Sequence, residues 1–153
     1  MTQIIAHPYH PKDQAACLAI FDANTPRFFA PSERAEFLDH LQTCGGPDSP
    51  YLVLKQDSAI LACGGICREQ GSTSAALTWG MVHPAHHGQG IGQQLLTARL
   101  TLARELPGLT ILTLATSQST SGFYRRAGFT VTRIIKDGFA PGLDRWDMTL
   151  PLT

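Results

Sequence analysis

The chain has 153 residues, a formal net charge of zero and only 16% charged residues. That length suits one domain, residues 1–153, with a core of ordinary size, and the neutral composition supplies no electrostatic footprint for nucleic acid or an anionic membrane. No apolar run approaches the ~20 residues of a membrane span, and residues 1–7 lack the basic segment and apolar core of a secretion signal, so a cytoplasmic protein is expected.

In chain order, Ile4, Ile5 and Ala6 suit a short first strand, ended by the proline-bounded residues 8–11. Residues 13–23 place Cys17, Ile20 and Phe21 on one helical stripe. Residues 24–31 break that helix, and Ser32 offers an N-cap for a second helix to about Leu41, with Glu33 and Glu36 in its first turn. The intervening loop carries Phe28 and Phe29, which either line a substrate pocket or anchor the loop on the core. Turn-rich residues 44–50 lead into 51–54 and 60–67, the pattern of an antiparallel hairpin, and Gly64 and Gly65 mark a bulge or close backbone approach. Cys17, Cys44, Cys63 and Cys67 read as small buried hydrophobes, because Cys63 and Cys67 are separated by three residues rather than two and match neither a zinc nor a redox spacing.

Residues 75–82 read as a strand, and residues 91–105 as a helix free of Gly and Pro, with Leu95, Leu96, Ala98, Leu102 and Leu106 at helical spacing. Between them stands His86-His87-Gly88-Gln89-Gly90-Ile91-Gly92. Such a succession makes a nest of backbone N–H groups at the positive end of a helix dipole, a setting that suits phosphate. It is not a P-loop, since Gln93 and Gln94 follow the last glycine, nor a dinucleotide fingerprint, since Gln93 or Leu95 stands where the third glycine belongs. Two readings remain: a loop binding a diphosphate through main-chain donors, or a flexible turn with no ligand. His83, His86 and His87 have no nearby Cys, Asp or Glu to complete a ligand set, so no metal is expected.

Pro107-Gly108 stops the helix, and residues 109–116 suit a parallel neighbour reached by a helical crossover. Residues 117–121 can cap a short helix containing Phe123, Tyr124 and Ala127, closed by Gly128. Residues 129–135 and 145–152 read as final strands joined by a loop over 137–144.

Order and local patterns together resemble the GCN5-related N-acetyltransferase superfamily over essentially the whole chain. The family's phosphate loop, Arg/Gln-x-x-Gly-x-Gly/Ala, falls on His87-Gly88-Gln89-Gly90-Ile91-Gly92 after Val82-His83-Pro84, and Gly122-Phe123-Tyr124-Arg125-Arg126-Ala127-Gly128-Phe129 is similar to its late Phe-Tyr-x-x-x-Gly-Phe segment. Two residues depart from the pattern. His87 replaces the Arg or Gln heading the loop, and Ser117 stands where many members have an Asn that touches the pantetheine arm.

The resemblance implies an α/β (α+β) domain with a mixed central sheet of about six or seven strands, flanked by about four helices and splayed between its two central parallel strands. It implies acetyl-CoA as co-substrate. The diphosphate would lie on the N–H groups of Gly88, Gly90, Ile91 and Gly92, beside Gln89 and His87, and the pantetheine arm along Met81 and Val82 with Ser117 nearby. An N–H near Val82 would polarise the thioester carbonyl. Tyr124 is the candidate general acid for the departing sulfur, set against a packing role. The strand acid that many members use as base is absent from residues 78–82; His83 is a candidate in its place, and Asp137 and Asp144 are candidates to attract a cationic amine, with water as relay. The expected activity is N-acetylation of a small-molecule amine by direct attack in a ternary complex. An acyl-CoA-binding regulatory module without turnover and a protein N-acetyltransferase are the alternatives. Expected partners are the small amine and, as an open alternative, a second copy in a homodimer, with no nucleic acid or membrane.

Overall fold

In the computed structural model, which describes residues 3–152, seven strands form one mixed sheet in the order β1-β2-β3-β4-β5-β7-β6. They are β1 (Ile4–Pro8), β2 (Tyr51–Gln56), β3 (Ala59–Arg68), β4 (Ser74–Val82), β5 (Ile111–Thr116), β6 (Thr130–Ala140) and β7 (Leu143–Pro151). Four α-helices accompany them: α1 (Gln14–Ala23), α2 (Arg34–Thr43), α3 (Ile91–Glu105) and α4 (Ser121–Arg126). Met1 and Thr2, which begin the segment read above for a secretion signal, and Thr153 lie outside the described residues. No helix among the described residues is long and apolar enough to cross a membrane.

Both faces of the sheet are covered, which is why β2 and β3 read as continuous apolar runs rather than alternating ones. Val53, Cys63 and Met81 join Cys17, Phe21, Phe37 and Leu41 of α1 and α2, whereas the adjacent Leu54 and Ala62 turn the other way, onto Ile91 and Leu95 of α3. A third cluster buries Leu96 and Ala103 of α3 against Ile66, Leu77, Leu112 and Met148.

β4 and β5 are parallel neighbours, but they pair only at Ser74↔Ile111, Ala75↔Leu112 and Ala76↔Thr113. Beyond that point β5 stays on β7 as far as Thr116↔Trp146, while β4 follows β3. The cause is local. The β3–β4 register shifts between Cys63 and Gly65, and Trp79 takes a left-handed φ of 43°. A bulge of this kind bends the strand that carries it, and the end of β4 leaves β5 to form the expected splay.

Several boundaries differ from the sequence expectation. α2 is entered through a 3-10 turn, Pro31–Glu33, with the N-cap at Ala30 and not Ser32, and Glu33 Oε2 accepts from the Ala30 N–H at 2.8 Å. Pro31, with its φ preset and no N–H to satisfy, starts the helical turn early. Residues 137–144 are mostly strand: β6 runs to Ala140 and β7 begins at Leu143, with the tight reversal at Pro141 and Gly142 (φ 78°). Cys17 and Cys63 are buried as expected, but Cys44 is half-buried and Cys67 exposed, and all four thiols are free.

His40 of α2 lies edge-on to Tyr51, ring centroids 5.1 Å apart, and its Nε2 is buried without a partner. Burial lowers its pKa from the ordinary value, so the folded chain holds it neutral. Below about pH 6.5 the unfolded chain takes up a proton that the native state resists, so this contribution to stability is complete above that pH and declines as pH falls. Melting temperature is therefore expected to drop less steeply between pH 7.5 and 5.5 in His40→Phe than in wild type; equal slopes would remove His40 from the acid response.

Candidate active site

The splay opens a cleft of about 1040 Å3 whose walls come from β4, β5, the turn before α3, the start of α4, and the loop between α1 and α2. The edge of β4 is oriented by simple parity. The His83 N–H donates to the Leu61 carbonyl at 2.9 Å, so Leu61 and His83 form a hydrogen-bonded pair, and the adjoining Ala62↔Val82 pair is non-hydrogen-bonded. The N–H and C=O of Val82 therefore turn away from β3, toward the gap left by β5. Its carbonyl accepts from Asn24 Nδ2 at 3.0 Å and meets His87 Nε2 at 2.9 Å. A carbonyl only accepts, so His87 carries its proton on Nε2. The imidazole that replaces the family's Arg or Gln thus ties the glycine turn to the end of β4. Met81, one residue earlier, is buried toward α1 while still bordering the cleft.

Gly88 and Gly90 have φ of 79° and 80°, and a Cβ at either would meet nothing within 4 Å. Their backbone demands glycine, and open space lies beside them. Gly90 is the N-cap position of α3, which has no side-chain cap and no acid in its first turn, so the first-turn N–H groups are left for an anion. Gly92 sits against Phe123, with 3.7 Å to a Cβ built there. Ile91 contributes only main chain, since its side chain is buried with Leu54 and Leu61. Gln89 is exposed and off the cleft wall; Gln93, one turn along the helix, lies on it.

Tyr124 stands on α4 across the cleft. Its ring meets Phe123 and Phe129 edge-on at centroid distances of 5.1 and 5.7 Å, so packing and presentation of the hydroxyl coexist. Gly128, at φ 105°, closes the helix, and the Phe129 N–H returns to the Tyr124 carbonyl at 3.1 Å. Tyr124 Oη accepts from Arg99 Nη2 at 3.2 Å. Arg99 was not among the expected residues. It is 2% exposed and occupies the apolar stripe of α3 between Leu95 and Ala103, and that stripe was the available signal. Ser117, 3% exposed, lines the cleft, and its carbonyl accepts the N–H groups of Thr120 and Ser121 as β5 turns into α4.

The opposite wall is aromatic and acidic. Phe29 stacks on Trp79 at 6.1 Å and packs on Phe21 at 5.2 Å, while Phe28 meets His87 edge-on at 5.5 Å beneath the Arg27 guanidinium. Both border the cleft, so anchoring and lining are not exclusive. The carboxylates lining the cleft are Glu33 and Glu36 on this wall and Asp147 on β7. Burial raises the Glu33 pKa, partly countered by the Ala30 N–H, with Glu36 adding to the rise. Asp147 pairs with Arg145 at 2.8 Å.

His83, Asp137 and Asp144 also lie off the wall, each for a visible reason. His83 Nδ1 accepts from the Ala85 N–H at 3.1 Å as the cap of the 3-10 turn Pro84–His86, and its ring lies beside His86. Asp144 Oδ1 accepts the Asp137 N–H at 2.9 Å, and Asp137 Oδ1 accepts the Gly142 N–H at 2.8 Å, so both carboxylates shape the β6–β7 hairpin. Among the described residues no group of three His, Cys, Asp or Glu side chains could hold a metal ion.

A glycine turn at a helix start, an unpaired strand edge and a tyrosine on the following short helix share one cleft, and residues 47–131 match the model of the acetyltransferase (GNAT) domain. The chain belongs to the GNAT acetyltransferase family. Its fold is that of solved GNAT structures. One, from Desulfovibrio desulfuricans and described as a GNAT-family acetyltransferase, is 22% identical with a TM-score of 0.82, over 99% of this chain and 100% of that one. YncA from Salmonella typhimurium, solved with acetyl-CoA, is 20% identical with a TM-score of 0.78, over 99% and 95% of the two chains. The Escherichia coli ribosomal-protein-S18-alanine N-acetyltransferase is 19% identical with a TM-score of 0.80, over the same shares. A comparison with curated proteins finds no significant match.

Proposed function

We propose that this GNAT protein transfers an acetyl group from acetyl-CoA to an amine of a small molecule by direct attack in a ternary complex. The observation that carries the reading is the continuity of the cleft: the glycine turn, the β4 edge and Tyr124 open into the same space as Phe28, Glu33 and Glu36. First-turn N–H groups of α3 hold the diphosphate, with Gly88 and Gly90 keeping side chains out of its way. The pantetheine amides pair with the outward backbone of β4, where the Val82 N–H faces the thioester carbonyl as an oxyanion donor. Tyr124 donates a proton to the departing sulfur.

Glu33 takes the place of the missing strand acid. Its raised pKa brings a carboxylate closer to the range where a base works best, and with Glu36 it favours a cationic acceptor. The aromatic residues Phe28 and Phe139 narrow this end of the cleft and favour a small acceptor over a folded protein. Acetyl-CoA turnover followed by thiol release tests the reading, using a panel of small amines beside peptides with free N-termini. Release with small amines alone is expected. Release with peptides alone would assign a protein N-acetyltransferase, and acetyl-CoA binding with no release across the panel would assign a regulatory module. In Glu33→Gln the rate is expected to fall about 10²-fold and to lose the acid limb that wild type shows as Glu33 protonates; an unchanged limb would remove Glu33 as base.

A further inference from the structure

We propose that Arg99 completes the leaving-group site, its guanidinium and the Tyr124 hydroxyl together receiving the CoA sulfur as it becomes a thiolate. The inference rests on the acetyl-transfer reading above.

Arg99 is the largest fully buried side chain among the described residues, and no carboxylate there pairs with it. Its Nε has no partner and its Nη2 has only the Tyr124 hydroxyl. An unpaired buried guanidinium is costly, and apolar packing from a leucine would be the ordinary occupant of this helical stripe. The sheet is nonetheless built to admit it. A Cβ on Gly80 would lie 2.6–2.8 Å from the guanidinium atoms, and one on Gly64, on the neighbouring strand, 3.3 Å from Arg99 Cδ. Two glycines on the central strands thus leave room for a cation at the edge of the splay.

The direction of the hydrogen bond matters. A guanidinium only donates, so Tyr124 Oη accepts from it and its own proton is free to point elsewhere. None of the other charged or titratable groups that line this cleft or face Arg99, the imidazoles of His86 and His87 included, supplies it with an anion. Tyr51 of β2 donates to the Trp79 carbonyl at 2.7 Å, and Asp147 of β7 is held by Arg145. Arg126 of α4 adds positive charge, while Glu33 and Glu36 belong to α2 and its entry turn. The anion that Arg99 lacks must come from the ligand, and the charge developing nearest Tyr124 is that of the sulfur.

In the step, the amine lone pair attacks the acetyl carbon, and the C–S bond breaks with its electron pair passing to sulfur. Tyr124 transfers its proton to that sulfur, and the resulting phenolate stays beside Arg99 until water returns a proton, while the amine proton leaves through Glu33. The products are the N-acetylated amine and CoA thiol.

Calorimetric titration with CoA and dethio-CoA, which carries hydrogen in place of the thiol, tests this without an acceptor. Wild type is expected to bind CoA with a preference over dethio-CoA that grows about tenfold as pH rises from 7 to 9.5, across the range where thiols ionise. Arg99→Met is expected to abolish that preference while dethio-CoA affinity and the melting temperature hold. Arg99→Lys, which keeps charge but loses the planar fork, is expected to retain part of it and serves alone if the Met variant does not fold. A pH-independent preference in wild type, or an undiminished one in the variants, would overturn the proposal. Failure of wild type to bind either CoA or dethio-CoA would remove the acetyl-CoA reading itself.

Discussion

Tyr124→Phe is expected to lower kcat for acetyl transfer by about 10²–10⁴-fold, the span of a lost general acid, and to leave CoA affinity nearly unchanged. The substitution removes one oxygen from a ring that keeps its contacts with Phe123 and Phe129. Packing loss is therefore small, and a fall in turnover cannot be assigned to a collapsed α4. The hydroxyl acts only once the C–S bond is breaking, so the loss should appear in kcat and not in the ground-state affinity. The variant also deprives Arg99 of its one acceptor. A second substitution at Arg99 should therefore cost much less in the Tyr124→Phe background than in wild type, as expected of residues acting as one unit. Wild-type turnover in Tyr124→Phe would rule out the acid role.

Local pattern carries far in this chain, and the residues it misses are those set by long-range contact. The stripe of Leu95, Leu96, Ala98, Leu102 and Leu106, the positive-φ glycines and the stop at Gly128 all act within a few residues, so helix α3, its glycine turn and α4 are legible in the amino-acid sequence itself. The splay follows less directly: Gly64 signals a bulge, but only the register shows that it bends β4 away from β5. Arg99 and Tyr124 are 25 residues apart and Asn24 and Val82 58 apart, and no periodicity announces such meetings. Glu33 and Glu36 read as helix-start acids, which they are, and their second place on the cleft wall depends on how α2 docks. Asp137 and Asp144 show the converse: expected as candidates to attract an amine, their carboxylates accept backbone N–H groups in the turn of an extended hairpin.

Gly90→Val carries the largest expected effect on CoA binding, and two separable causes produce it. At φ 80° the N-cap backbone of α3 is left-handed, so a β-branched residue there costs about 1–3 kcal/mol. For a chain of this length that corresponds to a drop of roughly 2–4 °C in melting temperature per kcal/mol. The Cβ itself would touch no protein atom, because it projects into the open space beside the turn. That space is the diphosphate's in the proposed complex, and both filling it and tilting the first N–H groups of α3 should weaken CoA by at least about 100-fold, or roughly 2.7 kcal/mol. Gly71 supplies the control. It has the same φ of 80° and equally open surroundings, but sits on the β3–β4 turn and off the cleft wall. Gly71→Val should reproduce the thermal loss with CoA affinity intact. If both valine variants lower the melting temperature alike and both bind CoA as tightly as wild type, the glycine turn is a strained connector and the diphosphate lies elsewhere.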